Sequence, residues 1–169
     1  MSDLIFDNAE FARLKRTLRG ELALAQLPRV ASEVLSGEVI EYVLVGGTDK
    51  YQRYTLDLGL TGHLALRCQR CLKAVDFDLD VATHFTLFAD EARLETADAE
   101  DDELEGLLFE QQFDLLSLLE DEILLSLPYA AVHEACEAQV AAEPADVPKK
   151  PNPFAVLADL KGKLQRGEH

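Results

Sequence analysis

The chain has 169 residues, with 16 Lys and Arg against 32 Asp and Glu, which gives a net charge of -16. That length allows one domain of ordinary size with tails and excludes a second full domain. Residues 1–19 carry no signal-peptide pattern, and acids interrupt the apolar residues 115–127, so no membrane span is expected. Three cysteines without an export signal predict reduced thiols in a cytoplasmic protein.

The acidity is concentrated in one part of the chain. Residues 1–75 hold ten cations against nine acids, residues 76–147 hold one against twenty-one, and residues 148–169 hold five against two. Affinity for nucleic acid comes largely from cations that displace counterions from the phosphates. Carboxylates carry the same charge as the phosphates and repel them. The acidic block, residues 76–147, therefore favours a cationic protein partner, or else it serves only to keep the protein soluble.

The N-terminal part predicts a helix followed by a strand. Residues 8–18 carry apolar side chains at helical spacing, which predicts an amphipathic helix with Asp7 or Asn8 as its N-cap. Residues 39–45 are rich in β-branched and aromatic side chains, which favours a strand. The run Gly46-Gly47-Thr48-Asp49 predicts the turn that ends this strand.

Two longer segments, residues 54–68 and 75–87, alternate apolar and polar side chains. Such alternation is typical of antiparallel strands with one face in water. The segment between them, Cys68 to Cys71, is then the tip of a hairpin. The predicted fold class is α+β, with a mostly antiparallel, partly barrel-like sheet, a few short helices and a proline-rich C-terminal tail.

The C-terminal half predicts a loop and then a helix. Residues 90–105 contain nine carboxylates and predict a mobile acidic loop. Asp114 is the expected N-cap of a helix that Pro128 ends. Its apolar stripe recurs every four residues, at Leu115, Leu119, Ile123 and Leu127. The acids at residues 120–122 are expected on the solvated face of this helix.

Prolines after residue 138 predict a flexible linker. The expected organisation is a single α+β domain over residues 1–137, followed by a linker and a docking motif over residues 138–169. The apolar side chains of that motif lie three residues apart, as on one face of a short helix. The candidate partner-binding residues are Asn152, Pro153, Phe154, Leu157 and Leu160. The alternative is that the stripe covers a groove on its own domain.

Cys68-Gln-Arg-Cys71 is half of a zinc knuckle, because two thiolates at this spacing can chelate one tetrahedral ion. His133-Glu-Ala-Cys136 offers the other half, which makes a candidate Cys3His zinc site. The alternative is an ordinary pair of small residues and a solvent-facing histidine. A redox role is disfavoured, because a reactive pair needs its first cysteine at a helix N-terminus, and strands flank this one.

Three cations surround the Cys68–Cys71 turn: Arg67, Arg70 and Lys73. They are candidate contacts for RNA phosphates, and the alternatives are that they keep the thiolates ionised or pair with acids elsewhere. His63 and His84 lack an acid–base partner at a suggestive spacing and predict packing or surface roles. No phosphate-binding glycine loop or nucleophile elbow is present, so neither an enzyme nor a small-molecule substrate is expected.

Three segments together resemble the YceD family. They are Leu66-Arg-Cys-Gln-Arg-Cys-Leu72, the helical residues 114–128 followed by Val132-His133, and Lys150-Pro-Asn-Pro-Phe-Ala-Val-Leu-Ala-Asp-Leu-Lys161. The resemblance implies a ribosome-biogenesis factor, not an enzyme, that is needed for accumulation or processing of large-subunit (23S) ribosomal RNA. The expected partners are that RNA, or a basic ribosomal protein or assembly factor that the acidic block would attract. The alternatives are a zinc-stapled adaptor and a direct RNA-binding protein that uses the cations near the cysteine turn and at the N-terminus: Arg67, Arg70, Lys73, Arg13, Lys15, Arg16 and Arg19.

Overall fold

The computed structural model describes residues 4–136, and the predicted linker and docking motif lie outside them. In chain order the elements are β1 (Ile5–Phe6), α1 (Asn8–Arg13), β2 (Thr17–Leu22), a short 3-10 turn (Leu24–Gln26), α2 (Pro28–Glu33), β3 (Ser36–Gly37), β4 (Ile40–Thr48), β5 (Tyr54–Arg67), β6 (Ala74–Phe88), α3 (Glu91–Glu100), β7 (Glu105–Leu108), β8 (Phe113–Asp114) and α4 (Leu115–Ser126). The predicted α+β class is confirmed. The predicted boundary between the α+β domain (residues 1–137) and the linker with its docking motif (residues 138–169) stays a prediction.

One main sheet dominates the described residues. Its strands lie in the order β2-β4-β5-β6-β7, β3 pairs with β5 alongside this path, and only the β6–β7 pairing is parallel. Strands β1 and β8 form a small second antiparallel sheet. The main sheet ends at β2 and β7, so within residues 4–136 it does not close into a barrel. No helix in this part of the chain has the length and apolar character needed to cross a bilayer.

The long hairpin β5–β6 follows the predicted alternation. Leu56, Leu58 and Leu60 of β5 are buried in the core, while the acids of β6 at residues 76, 78 and 80 are exposed. Helix α4 covers this core with a stripe of fully buried side chains, Leu115, Leu119 and Ile123. The Asp114 carboxylate accepts a hydrogen bond of 3.0 Å from the Leu116 N–H and caps the helix, as predicted.

The N-terminal helix is shorter than predicted. The Asp7 carboxylate accepts a hydrogen bond from the Glu10 N–H at 2.8 Å, which confirms the N-cap, but α1 ends at Arg13. The chain then reverses at Lys15, which has a left-handed φ of 50°, and enters β2. The apolar spacing continued into Leu18 because that side chain packs against the same core from a strand.

The turn predicted at Gly46-Gly47-Thr48-Asp49 is wrong. Residues 46–48 continue β4, and the reversal lies beyond them, where the Asp49 N–H donates to the Arg53 carbonyl at 2.9 Å. A Cβ at Gly46 would lie 2.7 Å from the Phe11 carbonyl oxygen and 2.8 Å from the Ala12 Cα. Glycine is therefore present because α1 crosses the strand there, not because the chain turns.

The acidic loop predicted over residues 90–105 contains a helix instead. Residues Glu91–Glu100 form α3, and the Asp90 carboxylate accepts from the Arg93 N–H at 3.0 Å as its N-cap. Ala, Glu, Leu and Arg are strong helix formers, and this local preference outweighs the high charge. Leu94 anchors the helix by packing over Gly106 of β7.

The acids of α4 do not share one solvated face. Glu120 is only 5% exposed, and its carboxylate accepts a hydrogen bond of 2.7 Å from the Arg29 N–H near the start of α2. Glu122 accepts from the Thr83 hydroxyl at 2.6 Å, and Asp121 pairs with the Arg29 guanidinium at 2.6 Å. The acids therefore bind α4 to a neighbouring helix and to the sheet, which corrects the prediction.

Candidate metal centre

The cysteine pair lies where β5 turns into β6. The turn is closed by two backbone hydrogen bonds of 2.9 Å, from the Cys68 N–H to the Lys73 carbonyl and from the Leu72 N–H to the Cys68 carbonyl. Leu72 has a φ of 62°, a left-handed conformation that completes the tight reversal. Both Cys68 and Cys71 are buried, so the tip holds two thiols away from bulk water.

The second half of the cluster comes from the segment that follows α4. The Gln69 N–H donates to the Ala131 carbonyl at 2.9 Å, which fixes this segment against the hairpin tip. Two residues later His133 reaches the cysteine pair, and Cys136 follows at a half-buried position. Residues distant in sequence thus meet at one place because two independent elements end there.

The four ligating atoms of Cys68, Cys71, His133 and Cys136 all lie within 4.8 Å of one another. The Cys68 and Cys136 sulfurs are 3.7 Å apart, and the Cys71 sulfur is 3.4 Å from His133 Nδ1. A tetrahedral zinc ion with bonds of about 2.0–2.3 Å separates its ligand atoms by roughly 3.5–3.8 Å. The donor set therefore fits zinc, and the two separations of 3.7 Å and 3.4 Å are close to the tetrahedral values. These four side chains would hold the ion as a closed structural site.

The imidazole of His133 is already oriented for such a role. Its Nε2 lies 2.8 Å from the Ala74 carbonyl oxygen, which can only accept, so Nε2 carries the proton. This leaves the lone pair of Nδ1 facing Cys71. A backbone carbonyl that fixes the tautomer of a ligating histidine is the usual outer support of a zinc site.

The protonation of the thiols is uneven. The backbone N–H of Cys71 lowers the pKa of Cys68 to about 5, against the opposing effect of burial, and the N–H groups of His133 and Arg70 act in the same direction. Burial raises the pKa of Cys136, and the adjacent Cys68 sulfur raises it further. The Cys136 thiol therefore donates to the Cys68 thiolate in the metal-free arrangement.

The basic residues predicted around the turn are all exposed. Arg67, Arg70 and Lys73 border the hairpin tip, and none of them forms an ion pair within residues 4–136. The structure brings these cations next to the Cys3His cluster without using them to neutralise any described carboxylate. The predicted partner-binding residues of the tail lie outside the described part of the chain.

His63 and His84 each have a carboxylate partner across the β5–β6 hairpin, which their spacing in the sequence did not predict. His63 Nδ1 lies 2.6 Å from the Asp78 carboxylate, and His84 Nδ1 lies 2.6 Å from the Asp57 carboxylate. Each pair joins β5 to β6 on the exposed face of the sheet. The signal was the hairpin itself, because a tight turn at residues 68–73 sets the register that puts each histidine opposite an acid.

The residues of this site lie in the part of the chain that matches a known protein family. The family described as "Large ribosomal RNA subunit accumulation protein YceD" matches residues 56–161, more than half of the chain. The chain belongs to the YceD family. All four residues of the Cys3His cluster, and the tail motif at residues 152–160, fall within the match.

A relative of the same family name supports the assignment. The Haemophilus influenzae protein named "Large ribosomal RNA subunit accumulation protein YceD" is 36% identical over 107 residues, which is 58% of this chain and 60% of that protein. The aligned part thus spans less than two thirds of the relative. No solved structure matches this member of the YceD family.

Proposed function

We propose that this protein is a ribosome-biogenesis factor required for normal accumulation of large-subunit (23S) ribosomal RNA, and that it acts by binding rather than by catalysis. The observation that carries the proposal is the YceD match over residues 56–161, since that family is named for this role. The Haemophilus influenzae relative bears the same name. The setting is the bacterial cytoplasm, where ribosomes assemble.

The exposed face of the sheet supports binding over catalysis. The groove of about 430 Å³ beside the His63–Asp78 pair also contains Ser36, the combination from which a hydrolytic triad is built. Within the described residues, however, the Ser36 hydroxyl forms no hydrogen bond with the imidazole, and side chains of the pair are 70% and 82% exposed. The described residues therefore lack the contact between nucleophile and base on which a hydrolytic triad depends.

The Cys3His cluster is proposed to be a structural zinc site. Zinc supplies no reaction step here; it would join the tip of β5–β6 to the segment after α4 through Cys68, Cys71, His133 and Cys136. The fit of the donor atoms and the prior orientation of His133 support this role. A zinc ion at this place would fix a surface for a partner.

The partner that the charge distribution favours for the acidic block is a basic ribosomal protein or assembly factor. Residues 76–147 hold twenty-one acids and a single cation. Such a negative field attracts a cationic protein. While bound there, the cationic protein is kept from nonspecific contact with RNA phosphates until it joins the ribosomal RNA. Residues 152–160, in the basic segment that follows, are the proposed docking motif for the same partner.

The proposal is tested in a bacterial strain that lacks its own YceD-family protein. Expression of this chain should restore the ratio of 23S to 16S ribosomal RNA, whereas an empty vector should not. The Ser36→Ala variant is a matched control, because a binding function predicts full restoration without that hydroxyl. Failure of the wild-type chain, expressed at the level of the native protein, would contradict the proposed role, and loss of function in Ser36→Ala would contradict the absence of catalysis.

A further inference from the structure

Among residues 4–136, the most exposed aromatic side chain follows helix α4, in the segment that leads to the candidate metal centre. Tyr129 follows Pro128 at the end of α4 and reaches 106% of the reference exposure, so its ring contributes nothing to the core. One turn earlier, Leu125 is 80% exposed. A solvated aromatic ring of this kind is costly to present to water and is well suited to stack on a flat ligand.

A groove of about 330 Å³ lies at this end of the protein. Tyr129 and Leu127 are among the residues that line it, together with Arg67 and Gln69 of the hairpin tip. The Gln69 N–H donates to the Ala131 carbonyl at 2.9 Å. This hydrogen bond joins the hairpin tip to the segment that contains Tyr129.

The charge around the groove is opposite to that of the whole protein. Residues 58–75 contain three cations and no carboxylate, and residues 123–133 contain neither. Glu33 is the one carboxylate on the groove wall, and Asp76 and Glu134 begin the acidic surroundings. This end of the molecule is a small positive area on a protein of net charge -16.

We infer that these residues form a binding site for single-stranded RNA, which we call the tip surface: Arg67, Gln69, Arg70, Lys73 and Tyr129. An unpaired base stacks on the Tyr129 ring, and the three cations contact the phosphates on either side. A duplex fits poorly, because its bases already stack on each other and its second backbone meets the acidic surroundings. The inference rests on the proposed function, for which it names the class of RNA bound.

The tip surface and the metal cluster share their supports. Arg67 and Gln69 flank Cys68, Arg70 precedes Cys71, and Tyr129 lies four residues before His133. The contact of His133 with the Ala74 carbonyl at 2.8 Å holds the two sides of the surface together. The fold thus places an aromatic ring and three cations that form no ion pair within residues 4–136 at one end of the described domain.

The test uses the full chain and two RNA probes, a polyuridine strand of about 12 nucleotides and a hairpin duplex of equal length. The strand should bind more tightly than the duplex. The logarithm of its affinity should fall against the logarithm of salt concentration with a slope of about -2, since three phosphates are contacted on a single strand. Arg70→Ala should reduce the size of that slope by about 0.7, whereas Lys50→Ala, which removes an exposed cation at the β4–β5 turn, should leave it unchanged.

The aromatic contact has its own controls. Tyr129→Ala should weaken binding of the strand about tenfold, the effect of losing one stacked base, and Tyr129→Phe should retain affinity because the ring is kept. Tyr51→Ala removes another exposed tyrosine, at the β4–β5 turn, and should have no effect. Both positions lie on the surface, so the three variants are expected to fold.

The inference is overturned if the strand does not bind at low salt, if the duplex binds equally well, or if Tyr129→Ala leaves the affinity unchanged, the last result leaving the surface to a protein partner. These outcomes are separate from failure of the proposed function. A chain that restores 23S ribosomal RNA without binding the strand refutes only the tip surface. A chain that binds the strand but never restores that RNA refutes the proposed function instead.

Discussion

At the scale of single residues, the candidate metal centre is defined by the surroundings of each donor atom. The Ala74 carbonyl fixes the proton of His133 on Nε2 and leaves Nδ1 for a metal. Backbone N–H groups hold Cys68 as a thiolate, while Cys136 keeps its proton. The pair Cys68 and Cys71 and the pair His133 and Cys136, which lie 62 residues apart in sequence, thereby form one candidate ligand set.

Replacing one ligand tests this set. Cys71→Ser should reduce bound zinc from one ion per chain to a small fraction, because three remaining ligands hold the ion far more weakly. Gln69→Ala changes an exposed side chain in the same turn and should keep the full metal content. Metal analysis of protein purified without chelators measures both. Substoichiometric zinc in the wild-type chain would contradict the site.

The uneven thiol protonation predicts a pH dependence. Zinc requires thiolates, so the raised pKa of Cys136 means that its proton must leave on binding, while Cys68, with a pKa of about 5, has none to lose at neutral pH. Zinc affinity should therefore rise with pH through the neutral range. Calorimetric titration of apo protein in two buffers with different ionisation enthalpies measures the released protons, and equal heats in both would be the contrary result.

Glu120 is the residue whose role the sequence misrepresented, and its replacement is a stability test. Glu120→Ala leaves the Arg29 N–H without its buried acceptor and should lower the free energy of unfolding by about 1–3 kcal/mol. Asp121→Ala removes a half-exposed ion pair and should cost less than about 1 kcal/mol. Denaturant titration compares the two; equal losses would place Glu120 on the solvated face after all.

At the scale of elements, the sequence predicted the strands and helices that are set by local alternation and by N-cap residues. The hairpin β5–β6, the caps at Asp7 and Asp114 and the buried stripe of α4 follow from local pattern alone. The end of α1 and the continuation of β4 depended on packing between distant segments, whereas α3 followed a local helix preference that its high charge obscured. The Cys3His grouping was predicted from spacing and chemistry. The carbonyl that orients His133 belongs to Ala74 at the start of β6, and no sequence pattern predicts that contact.

The crossing of α1 over β4 is tested at Gly46. Gly46→Ala would bring a methyl group against the Phe11 carbonyl and the Ala12 backbone, neither of which can move as a side chain would. The expected loss is about 1–3 kcal/mol in the free energy of unfolding. Gly47→Ala meets chiefly the Thr55 hydroxyl at 3.0 Å, a group that can rotate, and should cost less. A neutral Gly46→Ala would show that no close crossing is present.

At the scale of the whole molecule, opposite charges occupy different regions. Acids cover the exposed face of β6 and the outer face of the helix α3, whereas the cations Arg67, Arg70 and Lys73 lie at the hairpin tip. A protein of this kind can attract a basic partner over one surface while it offers RNA a small contact on another. Partner capture in cells therefore tests the account as a whole.

The most direct measurement is affinity capture of the tagged chain from bacterial lysate at low and high salt, with RNA sequencing and mass spectrometry of what is retained. We expect enrichment of 23S over 16S ribosomal RNA, together with basic large-subunit proteins. A chain truncated after residue 149 should lose the proteins. Retention of neither RNA nor ribosomal proteins, or equal retention of both ribosomal RNAs, would contradict a binding role in accumulation of the large-subunit RNA.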